Sequence, residues 1–233
     1  SGGLKIVDVT TPSSPTQAAS YDTDGTANDV ALSGDYAYVA DGSSGLHVID
    51  ISDLDSLSLE TTVSTTDAKS LLVSGNYLFL ADGAGEFLVF DVQNKASPIQ
   101  IGTLTTAAVT TVYSLDRYND STLFVGTDKG IMVVDIANPS MPSDAGMISL
   151  SPSTASTPAA YDVKIVGDYV FAASGTDGLS IVFINRSFLA TSQVINRYKP
   201  GSGPTSGIEM YGEYLLVADG AGGLQIVDPW PGQ

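Results

Sequence analysis

Carboxylates are the groups with which this sequence could do chemistry. Twenty-six acidic residues stand against nine basic ones among 233, a net charge of −17, and many of the acids recur at fixed places. Asp41, Asp82, Asp128, Asp177 and Asp219 each sit in a glycine-rich hairpin. A ring of such carboxylates on one rim would suit a cation, a cationic partner or sugar hydroxyls. The plainer reading is turn chemistry, because Asp-Gly is what a tight hairpin selects. Asp22-Thr23-Asp24-Gly25, with Asn28 and Asp29 just after it, has the oxygen-rich spacing of half a calcium loop. Calcium takes roughly six to eight oxygen ligands, and Asp22, Asp24, Asn28 and Asp29 would supply part of that set. The terminal Glu and flanking helices of a helix-loop-helix site are missing, so a solvated turn competes with calcium; no other cofactor is suggested.

Catalytic arrangements are sparse. His47 is the sole histidine, cysteine is absent, and no Ser/His/Asp set or zinc site of histidines and cysteines can be assembled. The motif-ending Asp8, Asp50, Asp91, Asp135 and Asp228 read as acceptors of backbone N–H groups in the turns that follow them. Asn119-Asp120-Ser121 and Asn185-Arg186-Ser187 match a glycosylation sequon, as chance allows in so Ser/Thr-rich a chain.

The elements that must position these groups are repeats. Gly45-Leu46-His47-Val48-Ile49-Asp50 has relatives at Gly3 to Asp8, Glu86 to Asp91, Gly130 to Asp135, Gly178 to Phe183 and Gly223 to Asp228, spaced 41 to 48 residues apart. Such a period is the mark of a propeller or solenoid array. Tyr36 to Ala40, then Asp41-Gly42, then Leu46 to Ile51 reads as a hairpin, and a strand apolar on both sides is one covered on both faces. Pro-containing turns, Thr11-Pro12-Ser13-Ser14-Pro15, Ala96-Ser97-Pro98 and Asn138-Pro139-Ser140-Met141-Pro142, set off a fourth strand in each period. The expectation is all-β: a single propeller domain over 1–233 of five four-stranded blades, at about 28–64, 68–105, 111–150, 161–198 and 206–228, with 3–21 closing the ring by completing the last blade. A polar loop is expected from Ser151 to Ala159.

Gly-Leu-x-Val/Ile-Val/Ile-Asp, the Asn/Ser-Pro-x-x-Pro turn and the preceding Tyr-x-x-Val-Ala-Asp-Gly hairpin resemble the LVIVD-repeat proteins, β-propeller repeats of bacterial and archaeal exported proteins. Glu86 in place of glycine, Phe183 in place of the closing Asp and the short hairpin Thr127-Asp128-Lys129 depart from the pattern. The resemblance implies an extracellular or cell-surface protein.

On such blades the hairpins share a rim with the connections between blades. Asn28, Lys69, Tyr161 and Ser206 hold roughly equivalent places at the start of first strands and join the hairpin aspartates as the candidate ligand face. Asp29, Asp162 and Glu209 fall on the first strands themselves, and by analogy with propeller glycoside hydrolases they would be the acid and base of an enzyme. The preferred reading is a non-enzymatic binding or adhesion module for a protein or carbohydrate. A carbohydrate-active enzyme and a structural segment of a larger surface protein are the alternatives. The acidity argues against nucleic acid and anionic membranes, no apolar run is long enough to insert in a bilayer, and a monomer is expected, with a strand-swapped oligomer as the other arrangement. The chain opens Ser1-Gly2-Gly3, which reads as a processed or excised form.

Overall fold

The structure, a computed structural model, describes residues 2–151 and 158–230; most of the expected polar loop lies outside the described residues. Strands account for nearly all of its regular structure, with two short 3₁₀ turns at Leu189–Thr191 and Gly220–Gly222. The chain divides into two compact units, Ser1–Thr103 and Leu104–Gln233.

The first unit begins with β1 (Leu4–Asp8) and β2 (Thr16–Tyr21), which pair as an antiparallel sheet of two. Its first blade is β3 (Asp29–Ser33), β4 (Tyr36–Ala40), β5 (Leu46–Asp50) and β6 (Ser58–Val63), hydrogen-bonded in that order. The second is β7 (Ala68–Ser74), β8 (Tyr77–Asp82), β9 (Glu86–Asp91) and β10 (Ile99–Thr105). The second unit holds β11 (Val112–Asn119) to β14 (Ser143–Ile148) by way of β12 (Thr122–Thr127) and β13 (Gly130–Asp135). It continues through β15 (Asp162–Val166), β16 (Tyr169–Ala173), β17 (Leu179–Phe183) and β18 (Gln193–Tyr198). The last blade has three strands, β19 (Gly207–Tyr211), β20 (Tyr214–Ala218) and β21 (Leu224–Val227).

The five blades are those expected. Within the first unit a turn of a few residues brings β2 back along β1 at small loop-closure cost. In the third blade β11 runs on to Asn119, and its extra residues are taken up by register shifts at Val112/Ser114 and Arg117/Asn119.

The repeated motif works through the alternation of a strand's two faces. On β5, Leu46 and Val48 pack with Ala68, Leu71, Leu78 and Leu80 of the following blade. Ile49, the residue after Val48, packs with Ala37, Val39 and Leu4 on the other face. In the second unit Ile131 and Val133 join Val163, Val170 and Ala172, while Leu179 joins Ile208, Leu215 and Val217. Each such side chain removed from water contributes about 1.5–3 kcal/mol, which is why the motif tolerates only large apolar residues there. A register shift falls between the fourth and fifth motif residues in the third-to-fourth-strand ladders at Ile6/Val7, Val48/Ile49, Val133/Val134 and Ile181/Val182. Just beyond it the motif-ending aspartates each accept the N–H two residues on, at 2.8 Å: Thr10, Ser52, Gln93, Ala137 and Trp230. That bond lowers the Asp8 carboxyl below its ordinary value, and for Asp50 the Ser52 hydroxyl, together with the Ser52 N–H, does the same.

Candidate functional site

Hairpin aspartates at the rim point back into the protein. Asp41 is fully buried and accepts the Thr23 hydroxyl and the Gly25 N–H, both at 2.7 Å, with His47 Nε2 at 3.4 Å. Asp82 accepts the N–H groups of Thr66, at 2.8 Å, and Asp67. Asp128 accepts the N–H of Thr110 at 2.9 Å and of Thr111 at 3.2 Å, plus the Thr110 hydroxyl, and pairs with Lys129. Asp219 accepts the Gly203 N–H at 3.2 Å. Each clasps the segment that leads into its own blade. For Asp128, burial pushes the carboxyl up but the bonds from Thr110, Lys129 and Thr111 outweigh it and bring it down to about 2. Asp177 differs: Ser174 occupies the clasp position, bonded to Ser180 at 2.9 Å, and Asp177 is exposed.

Inner-strand aspartates do a second structural task. Asp29 Oδ2 accepts the Leu71 N–H and the Ser70 hydroxyl, both at 2.9 Å. Asp116 Oδ2 accepts the Ile165 N–H and Asp162 Oδ2 the Ile208 N–H, each at 2.7 Å. Every one of them links the first strand of a blade to the first strand of the next. Burial raises the Asp116 carboxyl and pushes that of Asp162 up to about 6, against the pull of its hydrogen bonds. Glu209 pairs with Lys164 at 2.8 Å, and this bond outweighs burial in lowering its carboxyl.

The oxygens read as half a calcium loop are dispersed. Asp29 is held by β7, Asn28 donates through Nδ2 to the Ala68 carbonyl at 2.8 Å, and Asp22 and Asp24 are exposed. Among the described residues no three His, Asp or Glu side chains are grouped to hold a metal ion. Lys69 pairs with Asp67 at 2.9 Å.

Three of the candidate residues do converge. Tyr161, Asp177 and Ser206 line a cavity of about 530 Å³ in the second unit, together with Ser174, Thr176 and Thr205. The Tyr161 ring, 43% exposed, leans on Tyr113 with centroids 5.0 Å apart. The wall is rigid: Gly175 and Thr205 exchange N–H···O bonds of 3.0 and 2.9 Å, and the Thr205 hydroxyl donates to the Gly178 carbonyl at 2.7 Å. Gly175 has φ +60°, and a Cβ there would stand 2.8 Å from the Tyr161 ring, so both backbone and space require glycine. Sequence reasoning missed Ser174 and Thr205. Counting from the Tyr of each second strand would have placed Ser174 in register with Asp41; Thr205 carries no sequence signal.

The LVIVD repeat, as a family model, matches residues 1–23, 24–65, 66–106, 123–148, 159–191 and 202–228. The chain belongs to the LVIVD-repeat family. Among curated proteins none is similar to this LVIVD-repeat chain in sequence. Solved structures are similar in fold. The periplasmic gluconolactonase of Pseudomonas aeruginosa superposes with a TM-score of 0.79 at 17% identity, over 94% of this chain and 70% of that one. A β-propeller domain from Myceliophteria thermophila gives 0.65 at 18% identity, over 85% of this chain and 64% of that one. A computationally designed protein gives 0.67 at 11% identity, over 97% and 64%. The LVIVD-repeat chain thus spans just under two thirds of the length of the last two. Identities this low show the fold, a β-propeller, and nothing of activity.

Proposed function

We propose that this LVIVD-repeat chain is a non-enzymatic binding module, working outside a prokaryotic cell or on its surface, that holds a neutral carbohydrate in the Tyr161 cleft. One observation carries the reading: an exposed tyrosine ring shares a single cavity with the exposed polar side chains of Thr176, Asp177 and Ser206. The apolar C–H face of a sugar stacks on an aromatic ring while its hydroxyls exchange hydrogen bonds with side chains around the rim. Hydroxyls donate and accept alike, and Asp177 adds an acceptor that is not committed to a backbone clasp. A wall fixed by the Gly175–Thr205 bonds loses little freedom on binding.

Binding is favoured over hydrolysis because Asp29 and Asp162 are engaged by backbone N–H groups and Glu209 by Lys164, so none stands free to act as acid or base. The test is a glycan array probed with the wild type and with Tyr161→Ala, with calcium and with EDTA. The expected result is a set of neutral glycans bound in both media and lost in the variant. Hits that survive Tyr161→Ala remove the cleft from the account, hits lost in EDTA restore a metal site, and released sugar in the wells would establish an enzyme.

A further inference from the structure

One backbone bond closes the same corner in four blades. The residue after the end of the motif donates its N–H to the turn between the first two strands: Ile51 to the Asp35 carbonyl, Val92 to Asn76, Ile136 to Ser121 and Ile184 to Asp168, all at 2.8 Å. In the last blade the residue in that register is Pro229, and the turn is Gly212-Glu213. Proline has no N–H to give, so the Glu213 carbonyl goes without this bond.

A cavity of about 180 Å³ lies at this corner, apart from the Tyr161 cavity and lined by Glu213, Tyr214, Asp228 and Trp230. Trp230 is the sole tryptophan of the chain and stands where other copies of the motif place Thr10, Ser52, Gln93 and Ala137, so the repeat itself does not require it. Its half-buried ring is anchored edge-on by Tyr169 and Phe171, with centroids 4.8 and 5.9 Å away. Tyr214 is 49% exposed. The Glu213 side chain is exposed and makes no ion pair among the described residues, while Asp228 gives one oxygen to the Trp230 N–H at 2.8 Å and keeps the other.

We propose that this corner binds a guanidinium group, the head of an arginine side chain or of a small alkylguanidine. The planar cation lies against the aromatic walls, its fork of N–H groups donates to the Glu213 and Asp228 carboxylates, and the Glu213 carbonyl takes the N–H that Pro229 cannot supply. An ammonium group fits less well, being more strongly hydrated and unable to lie flat on a ring. The cavity is well below the roughly 300–1,000 Å³ of pockets for drug-sized ligands, so it takes a head-group and not a whole metabolite. A net charge of −17 draws cations toward the surface.

The experiment uses Trp230 as its own reporter, since a sole tryptophan gives one indole cross-peak in a proton–nitrogen correlation spectrum of the full chain. The titrants are capped Gly-Arg-Gly, the same tripeptide with citrulline, whose neutral urea keeps the shape of the guanidinium, the same tripeptide with lysine, and agmatine. We expect a saturable shift with the arginine peptide, binding at least about tenfold weaker with citrulline, and an intermediate affinity with lysine. Agmatine separates the sources: binding equal to that of the arginine peptide assigns the site to a free guanidine, and tighter binding of the peptide assigns it to a protein partner. Glu213→Gln, at an exposed turn, should weaken the arginine peptide severalfold without moving the melting point. Pro229→Ile restores the N–H used in the other blades and should raise the melting point while abolishing the shift. Equal binding of arginine and citrulline peptides overturns the cation, and binding unchanged in both variants overturns the corner as the site. Absence of a saturable shift with any titrant overturns the proposal as a whole.

Discussion

The Gly25 N–H donates to Asp41 Oδ2 at 2.7 Å across sixteen residues, and the Thr23 hydroxyl fills the other oxygen at the same distance. The hairpin of the first blade is thereby tied to the segment that enters it. Removing the carboxylate strands two donors in a dry place. Asp41→Ala is expected to lower stability by about 2 kcal/mol, whereas Asp177→Ala, at the exposed hairpin residue that clasps nothing, stays within about 0.5 kcal/mol. Urea titrations of the two variants side by side check the contrast; equal losses would mean that the clasp contributes nothing specific.

Asp162 sets a pH dependence. Its folded carboxyl lies at about 6, above the ordinary carboxylate value of 3.8. The folded state therefore holds this proton more tightly than the unfolded chain does, and its contribution to stability falls as pH rises from about 4 to about 6. The loss is on the order of 2 kcal/mol. Asp162→Asn, which keeps an acceptor for the Ile208 N–H, should flatten thermal stability over that window; an unchanged slope would assign it to other groups.

Asp128 acts with the opposite sign. Its carboxyl is lowered from 3.8 to about 2, so the stability it confers is present above about pH 4 and is lost as pH falls through 2. Asp128→Asn should lower stability at pH 5 and leave it nearly unchanged at pH 2, read from melting curves at the two values.

His47 faces Asp41 at 3.4 Å, with both ring nitrogens shut off from solvent and lacking well-formed hydrogen bonds. The same motif position in the second blade is Leu88, buried as His47 is. His47→Leu is expected to cost less than about 1 kcal/mol, because the lost attraction is offset by removal of two unsatisfied polar atoms. A loss of several kcal/mol in urea would show the pair to be an essential ion pair.

Gly175→Ala places a methyl group at a positive φ and against the Tyr161 ring. It should lower stability by about 1–2 kcal/mol and weaken any ligand that stacks on Tyr161. Intact glycan binding with an unshifted melting point would show that the wall is softer than its hydrogen bonds imply.

What could be read from the chain itself was whatever repeats. The motif from Gly45 to Asp50 predicts the third strand, the hairpin before it and the turn after it, because each depends on neighbours in sequence and on the apolar phase of the strand. The bonds from Asp29 to Leu71 and from Asp162 to Ile208 were illegible, since they join residues a whole repeat apart and an inner-strand aspartate looks the same whether it waits for a substrate or holds a backbone. Asp177 was grouped with the other hairpin aspartates on its nearness to glycine, although Ser174 holds the equivalent place.

The reach of the inner-strand aspartates has an evolutionary side. Asp29 bonds a residue 42 positions ahead, Asp162 one 46 ahead and Asp116 one 49 ahead, each about one period. A duplicated or deleted repeat thus brings or removes one aspartate and one receiving N–H together, and leaves no distant partner stranded. Stability in such an array grows from neighbour to neighbour. Blade number can drift within a lineage by recombination between repeats, with the rim residues free to diverge once a copy is in place.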